Sequence, residues 1–262
     1  MSFSAAPPPW SRSPAARGLG ELLGAAFHVL QRVRHPRPLH PRGAILSGEL
    51  RGIPDAAPAG IRWIDDAPAG PVPVIARVSR SLGLPAPLPD VAGLALRFEA
   101  DGRPVDVELA STGWLVPARF ALLPVRRIER ARFGTLLPYR GERGAVSLGA
   151  RTLSGRPPAT DPREIARADP AAGWTLTLGH ARAFGPWHPF ARLTLRLDPD
   201  QDDRGLRFDA VRRPLPGAGV YDAVRAVRQP SYLRVQPADG PVRLPRGRAA
   251  EEGMPRTRTI TE

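Results

Sequence analysis

An arginine and a tyrosine near the carboxyl end of the chain have a spacing that could support chemistry. Arg228 and Tyr232 lie four residues apart, which places both side chains on one face of a helix or tight turn. A guanidinium beside a phenol favours the phenolate over the protonated form, whose ordinary pKa is about 10. The pair could therefore supply an anionic metal ligand, or it could be a packed ring beside a surface arginine. Tyr139 and Tyr221 are other phenols, but neither follows an arginine by four positions.

A histidine, a serine and two arginines upstream form a second set of candidates. His40 has an ordinary side-chain pKa of about 6.5, which suits general acid–base catalysis. Ser79 could orient that ring, because a partner on one ring nitrogen fixes the tautomer. Arg37 and Arg77 could bind carboxylates through bidentate, charge-assisted hydrogen bonds. The structural alternatives are a histidine at a strand end, an ordinary strand serine and two solvated arginines.

These residues belong to short motifs that occur in the order found in haem-dependent catalases. The motifs are Arg37-Pro-Leu-His40-Pro-Arg-Gly-Ala, Ala76-Arg77-Val-Ser79, Leu88–Phe98 with the Asp-Gly hairpin that follows it, Val105–Val107, Leu206–Asp209 and Arg228-x-x-x-Tyr232. Over residues 37–232 the chain therefore resembles the catalase-like superfamily, in particular a minimal catalase core or catalase-related peroxidase.

The resemblance implies a protein that binds haem b and reacts with hydrogen peroxide or an organic hydroperoxide. His40 would move the peroxide proton above the haem, with Ser79 orienting its ring. Tyr232 would hold the iron from below, and Arg228 would keep that tyrosine ionised. The cofactor-binding residues implied in this way are Arg37, Arg77, Arg228 and Tyr232. A small reducing co-substrate would complete the peroxidase reaction.

The chain departs from the catalase pattern at one position of the site. Catalases place an asparagine near the distal histidine, whereas the corresponding stretch after Asp106 has Ala110 or Ser111, and the chain contains no asparagine. Loss of one preorganised hydrogen-bond donor commonly slows a reaction by about 10²–10³-fold. The sequence therefore predicts slow peroxidase chemistry in preference to rapid catalase turnover. The alternative is a non-catalytic barrel that binds haem or another apolar ligand.

Composition excludes several other classes of function. The chain has no cysteine, which excludes disulfides, iron–sulfur clusters and a thiolate-ligated haem. All 38 basic residues are arginine and are spread along the chain, so no specific nucleic-acid partner is expected despite the net charge of +13. No apolar run reaches 18 residues, and residues 1–9 do not show the basic stretch followed by an apolar run that is typical of a secretion signal. We therefore expect a cytoplasmic protein without a membrane partner. The proline-rich amino terminus could contact a second copy in a homodimer.

The elements that must position these residues are predicted to be mostly short strands. The candidates are Gly43–Leu50, Val72–Ser79, Leu94–Glu99, Val105–Ala110, Trp174–Gly179 and Phe190–Leu197. Asp101-Gly102 suits a two-residue hairpin turn between the third and the fourth strand. Short antiparallel strands of this kind predict an α+β fold, an antiparallel β-barrel of the catalase-core type with flanking helices.

Helices are predicted on the flanks of these strands. They cover Leu19–Val33, one or two short segments within Ala118–Leu137, and Gly219–Arg228. We accordingly divide the chain into residues 1–36 as an arm with an amphipathic helix, residues 37–236 as the haem domain, and residues 237–262 as a disordered tail.

Overall fold

Nine β-strands form the framework of the computed structural model, which describes residues 40–221 apart from residues 86, 202, 204 and 205. The strands are β1 (Gly43–Gly52), β2 (Val72–Arg80), β3 (Ala92–Ala100), β4 (Arg103–Ser111), β5 (Arg132–Gly134), β6 (Tyr139–Gly141), β7 (Gly144–Gly155), β8 (Gly173–Arg182) and β9 (His188–Leu197). Two single-turn α-helices are also present, α1 (Arg62–Asp65) and α2 (Pro162–Ile165). Short 3-10 turns cover Ala118–Phe120 and Ile128–Arg130.

The strands close into an antiparallel barrel. The short strand β5 pairs with both β4 and β7, so the order runs from β5 through β4, β3, β2, β1, β9 and β8 to β7 and back to β5. The ninth strand, β6, pairs with β7 beside this ring of eight. The predicted antiparallel barrel is therefore confirmed.

Alternation along the strands fills the barrel interior with apolar side chains. On β2 the inward residues Val74, Ala76 and Val78 are fully buried, whereas the residues between them face outward. Phe133 packs edge-on against Trp174, with ring centroids 6.2 Å apart, inside the same core. The interior is thus a packed core, and the outward faces of the strands are available for other roles.

The six predicted strands are confirmed, each extended by a few residues at one end or at both. Asp101 and Gly102 have φ of 52° and 69° and join Ala100 to Arg103, which confirms the two-residue hairpin turn. The sequence did not predict β5, β6 or β7, because glycines and arginines interrupt the apolar alternation of β7.

Two of the predicted helices can be compared with the structure. The stretch Ala118–Leu137 contains two 3-10 turns and the strand β5, because residues 132–134 complete the ladder between β4 and β7. Of the helix predicted over Gly219–Arg228 only the first three residues are described, and there Gly219 forms an antiparallel bridge with Arg140. The helix predicted over Leu19–Val33 lies outside the described residues.

A buried ionic network ties the segment after β9 to the outer face of β3 and β4. The Asp106 carboxylate accepts hydrogen bonds from Nε and Nη2 of Arg97, both at 2.6 Å, and from the backbone N–H of Asp209 at 2.7 Å. Arg213 adds a contact of 3.3 Å to the same carboxylate. The Arg97 guanidinium also lies 5.1 Å from the ring centroid of Phe208. This network fixes residues 206–213 as a cover over the outer surface of the barrel.

Among the described residues, no helix is long and apolar enough to cross a membrane.

One histidine is enclosed at an end of the barrel. His180 is 4 % exposed, and its Nε2 donates a hydrogen bond of 2.7 Å to the carbonyl oxygen of Ala57. Burial lowers the pKa of His180 and is the largest influence; the Ala57 hydrogen bond opposes it, and the neighbouring His188 adds to it. The folded state therefore favours the neutral imidazole.

This histidine predicts that stability decreases in mild acid. An unfolded chain protonates His180 as the pH falls through about 6.5, whereas the folded chain resists protonation, so stability present above that pH is lost below it. One such group changes the free energy of unfolding by at most about 1.4 kcal/mol per pH unit. We expect Tm to fall between pH 7.5 and pH 5.5, and to fall less in His180→Gln. An equal decrease of Tm with pH in the wild type and in His180→Gln would show that His180 is not the group responsible.

Candidate functional site

The outer face of β1 to β4 carries small residues in register next to polar ones. Ser79 on β2 is paired with Gly93 on β3, which is paired in turn with Ala110 on β4. Two residues along the strands, and therefore on the same face, Ala95 lies between Arg77 and Glu108 in the same way. Gly93, Ala95 and Ala110 therefore form a shallow floor with longer polar side chains at its edges.

A cavity of about 350 Å³ lies above this floor. Its edge on the β1–β2 side is formed by His40, Arg77 and Ser79, and its cover comes from the segment that the Asp106 network holds in place. The remaining lining residues are Leu94 from β3, Glu108 and Leu109 from β4, Gly134 at the end of β5, Thr135 and Leu136 after it, and Leu206, Arg207 and Phe208 from the cover. The volume is within the range typical of small-molecule sites.

His40 is held in a specific orientation at this cavity. Its backbone N–H donates to the carbonyl oxygen of Ser81 at 2.8 Å, and its Nδ1 lies 2.9 Å from the Ser79 hydroxyl oxygen. Its φ of 54° is in the left-handed region, which is uncommon for a residue other than glycine. A Cβ on residue 93 would lie 2.7 Å from Cε1 of the imidazole and 3.0 Å from Nδ1. Gly93 is therefore needed for the ring to lie against the sheet.

Arg77 is buried beside His40 and is occupied by two partners. Its Nη2 donates to the His40 carbonyl oxygen at 2.9 Å and to the Asp203 carboxylate at 3.1 Å, and its Nε donates to the other oxygen of that carboxylate. Gly43 makes room for this guanidinium, because a Cβ there would lie 2.8 Å from Cζ of Arg77. Arg207 lies in the same cavity, and burial lowers its pKa, with Asp203 opposing that effect. The cavity thus brings two arginines together with two carboxylates, those of Asp203 and Glu108.

The register decides which residue stands where catalases have their asparagine. Ser111 points into the protein, where its hydroxyl donates to the carbonyl oxygen of Leu123 at 2.6 Å and accepts from the N–H of Ala92 at 3.0 Å. Ala110 instead lines the cavity, so the position faces the site with a methyl group. Glu108 lies on the same face of β4 and also lines the cavity. Sequence reasoning missed Glu108, although the alternation of β4 places it on the outer face.

The structure thus brings together three of the predicted site residues, His40, Arg77 and Ser79. The other three lie outside the described residues; they are Arg37, Arg228 and Tyr232. Within residues 40–221 as described, no group of three or more histidine, aspartate or glutamate side chains could hold a metal ion.

The lining of the cavity is chemically compatible with a flat, largely apolar group that carries carboxylates, such as haem. A floor of Gly93, Ala95 and Ala110 admits a flat group close to the sheet, and Leu206 and Phe208 offer apolar contact from above. The two arginines of the cavity can pair with propionates, provided that the propionate competes with or joins Asp203 at Arg77.

Comparison with known proteins supports the fold. No protein-family model matches the chain, and no curated protein matches it in sequence. Among solved structures it is similar to a fungal catalase, with a TM-score of 0.51 and 13 % sequence identity. The match covers 82 % of this chain and 63 % of that catalase, so the chain spans less than two thirds of the catalase. The protein has a catalase-like barrel fold.

Gly93→Ala is expected to displace the His40 ring, since the new methyl group would be placed at 2.7 Å from it. Overpacking of this kind costs about 1–3 kcal/mol. Side-chain ¹H–¹⁵N correlation spectra of the five histidines should show one ring resonance shifted in this variant. Gly173→Ala is the matched control, because a Cβ at that strand residue meets nothing within 4 Å. Identical histidine spectra for wild type and Gly93→Ala would contradict the predicted contact.

Proposed function

We propose that the protein binds haem b in the outer-face cavity and acts as a slow peroxidase on hydrogen peroxide or organic hydroperoxides. The observation that carries this proposal is the His40 ring, which Ser79 orients over Gly93 beside the arginines of the cavity. The catalase-like barrel supports the proposal, because the sequence motifs that contain His40, Arg77 and Ser79 also predicted this fold.

His40 is the proposed acid and base. With Nδ1 engaged by Ser79, Nε2 is the ring nitrogen that takes a proton from peroxide and returns it to the leaving oxygen. Ser79 acts through His40 as a positioning residue, because its hydroxyl fixes the tautomer and the tilt of the ring. The strained φ of His40 and the close approach of Gly93 hold the ring in one place.

The remaining roles concern the cofactor. Haem would supply the iron at which peroxide is held and cleaved. Tyr232 is the proposed iron ligand, and Arg228 stabilises its ionised form. Arg37 and Arg77 are proposed to bind the propionates. Peroxide and a small reducing co-substrate are the proposed reaction partners.

The test of this function is peroxide consumption by the purified protein supplied with haem, measured with a small phenolic reductant. Turnover that requires both haem and reductant is expected. A second class of function is favoured by the methyl group of Ala110, namely a barrel that binds haem without turnover. Stoichiometric haem binding with no reaction towards several peroxides would establish that class and reject the peroxidase.

Ala110→Asn is expected to speed the reaction with hydrogen peroxide. The variant restores a hydrogen-bond donor on the cavity face of β4, and such donors are commonly worth about 10²–10³-fold in rate. A gain of about tenfold or more in the rate constant for peroxide, measured by stopped flow, is the expected result. Ser47→Asn on the outer face of β1, outside the cavity, is the control. A rate unchanged from wild type would show that peroxide does not approach Ala110.

A further inference from the structure

Two neighbouring loops outside the barrel carry exposed apolar side chains. The first loop, residues 113–120, follows β4, and the second, residues 183–187, joins β8 to β9. Leu115 is 80 % exposed and Phe184 is 83 % exposed, which are the highest values among the large apolar residues that the structure describes. None of the roles proposed above uses these side chains.

A buried arginine fastens the two loops together. Nη2 of Arg119 donates to the carbonyl oxygens of Trp114 and Gly185, both at 3.0 Å. Leu115 follows the first of these carbonyls, and Phe184 precedes the second. Because one guanidinium binds both carbonyls, the two most exposed apolar side chains project from adjoining stretches of backbone. The large exposed apolar residues of the two loops are here termed the apolar tip: Leu115, Val116, Phe120 and Phe184.

Two stacked indoles support these loops from the barrel side. The rings of Trp114 and Trp187 have centroids 4.8 Å apart, and Nε1 of Trp187 donates to the Trp114 carbonyl oxygen at 2.9 Å. A Cβ on Gly149 of β7 would lie 2.8 Å from the Trp187 indole, so the stack rests directly on that strand. The apolar tip therefore stands on a packed base, although its own side chains are open to solvent.

The chain around the apolar tip is rich in arginine. Three segments contain the two loops and the strand beneath them: residues 109–128, residues 143–160 and residues 170–197. Each of these segments has three arginines and no aspartate or glutamate. Two further contacts place exposed arginines beside the stack, because the guanidinium carbons of Arg132 and Arg151 lie 5.1 and 5.7 Å from the ring centroid of Trp114.

Exposed apolar side chains beside arginines suit the surface of an anionic membrane. Apolar side chains that stand clear of their neighbours can enter the boundary between lipid head groups and acyl chains. Arginines beside them attract the negative charge of the head groups. The partly exposed Trp114 and Trp187 add rings of the type that favours this layer. An acidic protein or a nucleic acid would match the arginines alone, whereas an anionic bilayer matches both features.

We propose that the apolar tip docks the protein on an anionic lipid surface. Leu115 and Phe184 enter the lipid layer, and Arg132 and Arg151 face the phosphates. The sequence predicted no membrane partner because it has no apolar run long enough to span a bilayer. Contact through two loops needs no spanning segment. This proposal is independent of haem, so its failure would leave the proposed peroxidase untouched.

Sedimentation of the full chain with lipid vesicles tests the proposal. We expect binding to vesicles of phosphatidylcholine mixed with phosphatidylglycerol, and weaker binding in about 1 M salt, where charges are screened within about 3 Å. Affinity should fall at least about tenfold in Leu115→Ser, Phe184→Ser, because burial of each of these side chains contributes to binding. In Phe184→Trp, brominated acyl chains should quench more tryptophan fluorescence than in the wild type.

The matched control is Leu82→Ser, Leu88→Ser, which changes two exposed leucines in the loop between β2 and β3. Its affinity should stay within about twofold of wild type, since surface substitutions outside the contact change little. Absence of binding to the mixed vesicles, equal loss in both double variants, or equal binding to phosphatidylcholine alone would overturn the proposal. So would a dimer in sedimentation velocity that only the Leu115→Ser, Phe184→Ser variant disrupts, together with no binding to vesicles, because that result would assign the apolar tip to a second copy.

Discussion

His40→Ala is expected to slow peroxide turnover by the haem-supplied protein by about 10²–10⁴-fold, the range that a positioned acid–base group contributes. Nδ1 of the ring is held by Ser79, so the substitution removes an imidazole that lines the cavity in a fixed orientation. The measurement is the initial rate of peroxide consumption at fixed haem content. The absorption spectrum of the haem should persist, because His40 is not the proposed iron ligand.

Two further variants separate acid–base catalysis from a general effect on the fold. His188→Ala removes a histidine outside the cavity and should leave the rate within about twofold of wild type. Added imidazole should partly restore turnover in His40→Ala, since the space left by the ring can admit it. A rate for His40→Ala close to that of wild type would reject His40 as the acid and base.

Asp106→Asn is expected to destabilise the fold by about 3–5 kcal/mol, the usual effect of breaking a buried ion pair by removing one charge. The fully buried carboxylate accepts from both nitrogens of Arg97, and neutralising it would leave that guanidinium without a counter-charge in a buried position. It also accepts the N–H of Asp209, so the cover over the cavity should loosen as well. Urea unfolding followed by tryptophan fluorescence measures the change.

Asp101→Asn provides the matched control. Its carboxylate also lies 2.6 Å from an arginine, Arg62, but both side chains are more than half exposed, so the loss should stay below about 1 kcal/mol. The double variant Arg97→Met, Asp106→Leu should recover part of the stability lost in Asp106→Asn, because it removes the buried guanidinium of Arg97 together with its counter-charge, while Arg213 and the N–H of Asp209 still lose an acceptor. An equal loss of unfolding free energy in Asp106→Asn and Asp101→Asn would contradict the prediction that the buried ion pair contributes more than the exposed one.

Much of the barrel could be predicted from the sequence because alternation and turn chemistry are local. Val74, Ala76 and Val78 alternate with outward residues, and Asp101-Gly102 fits only a tight hairpin between its strands. The strand β7 could not be predicted in the same way. Its apolar residues are interrupted by glycines such as Gly149, which lies so close to Trp187 that a Cβ would be 2.8 Å from the indole.

The candidate site was predictable only in part, because its contacts are long-range. The motif order suggested that Ser79 orients His40, and the two side chains lie 2.9 Å apart. The partner of Arg77 could not be predicted, because Asp203 is 126 positions further along the chain. The choice between Ala110 and Ser111 likewise required the register of β4, since one step along a strand reverses the face.

Haem titration of the purified chain, followed by absorption spectroscopy, tests the central claim most directly. Wild-type protein is expected to take up one haem per chain and to develop the charge-transfer bands of a tyrosinate-ligated iron. Tyr232→Phe should lose those bands, because the phenolate oxygen is the proposed ligand. Absence of saturable haem uptake by the wild type, or an unchanged spectrum in Tyr232→Phe, would contradict the account.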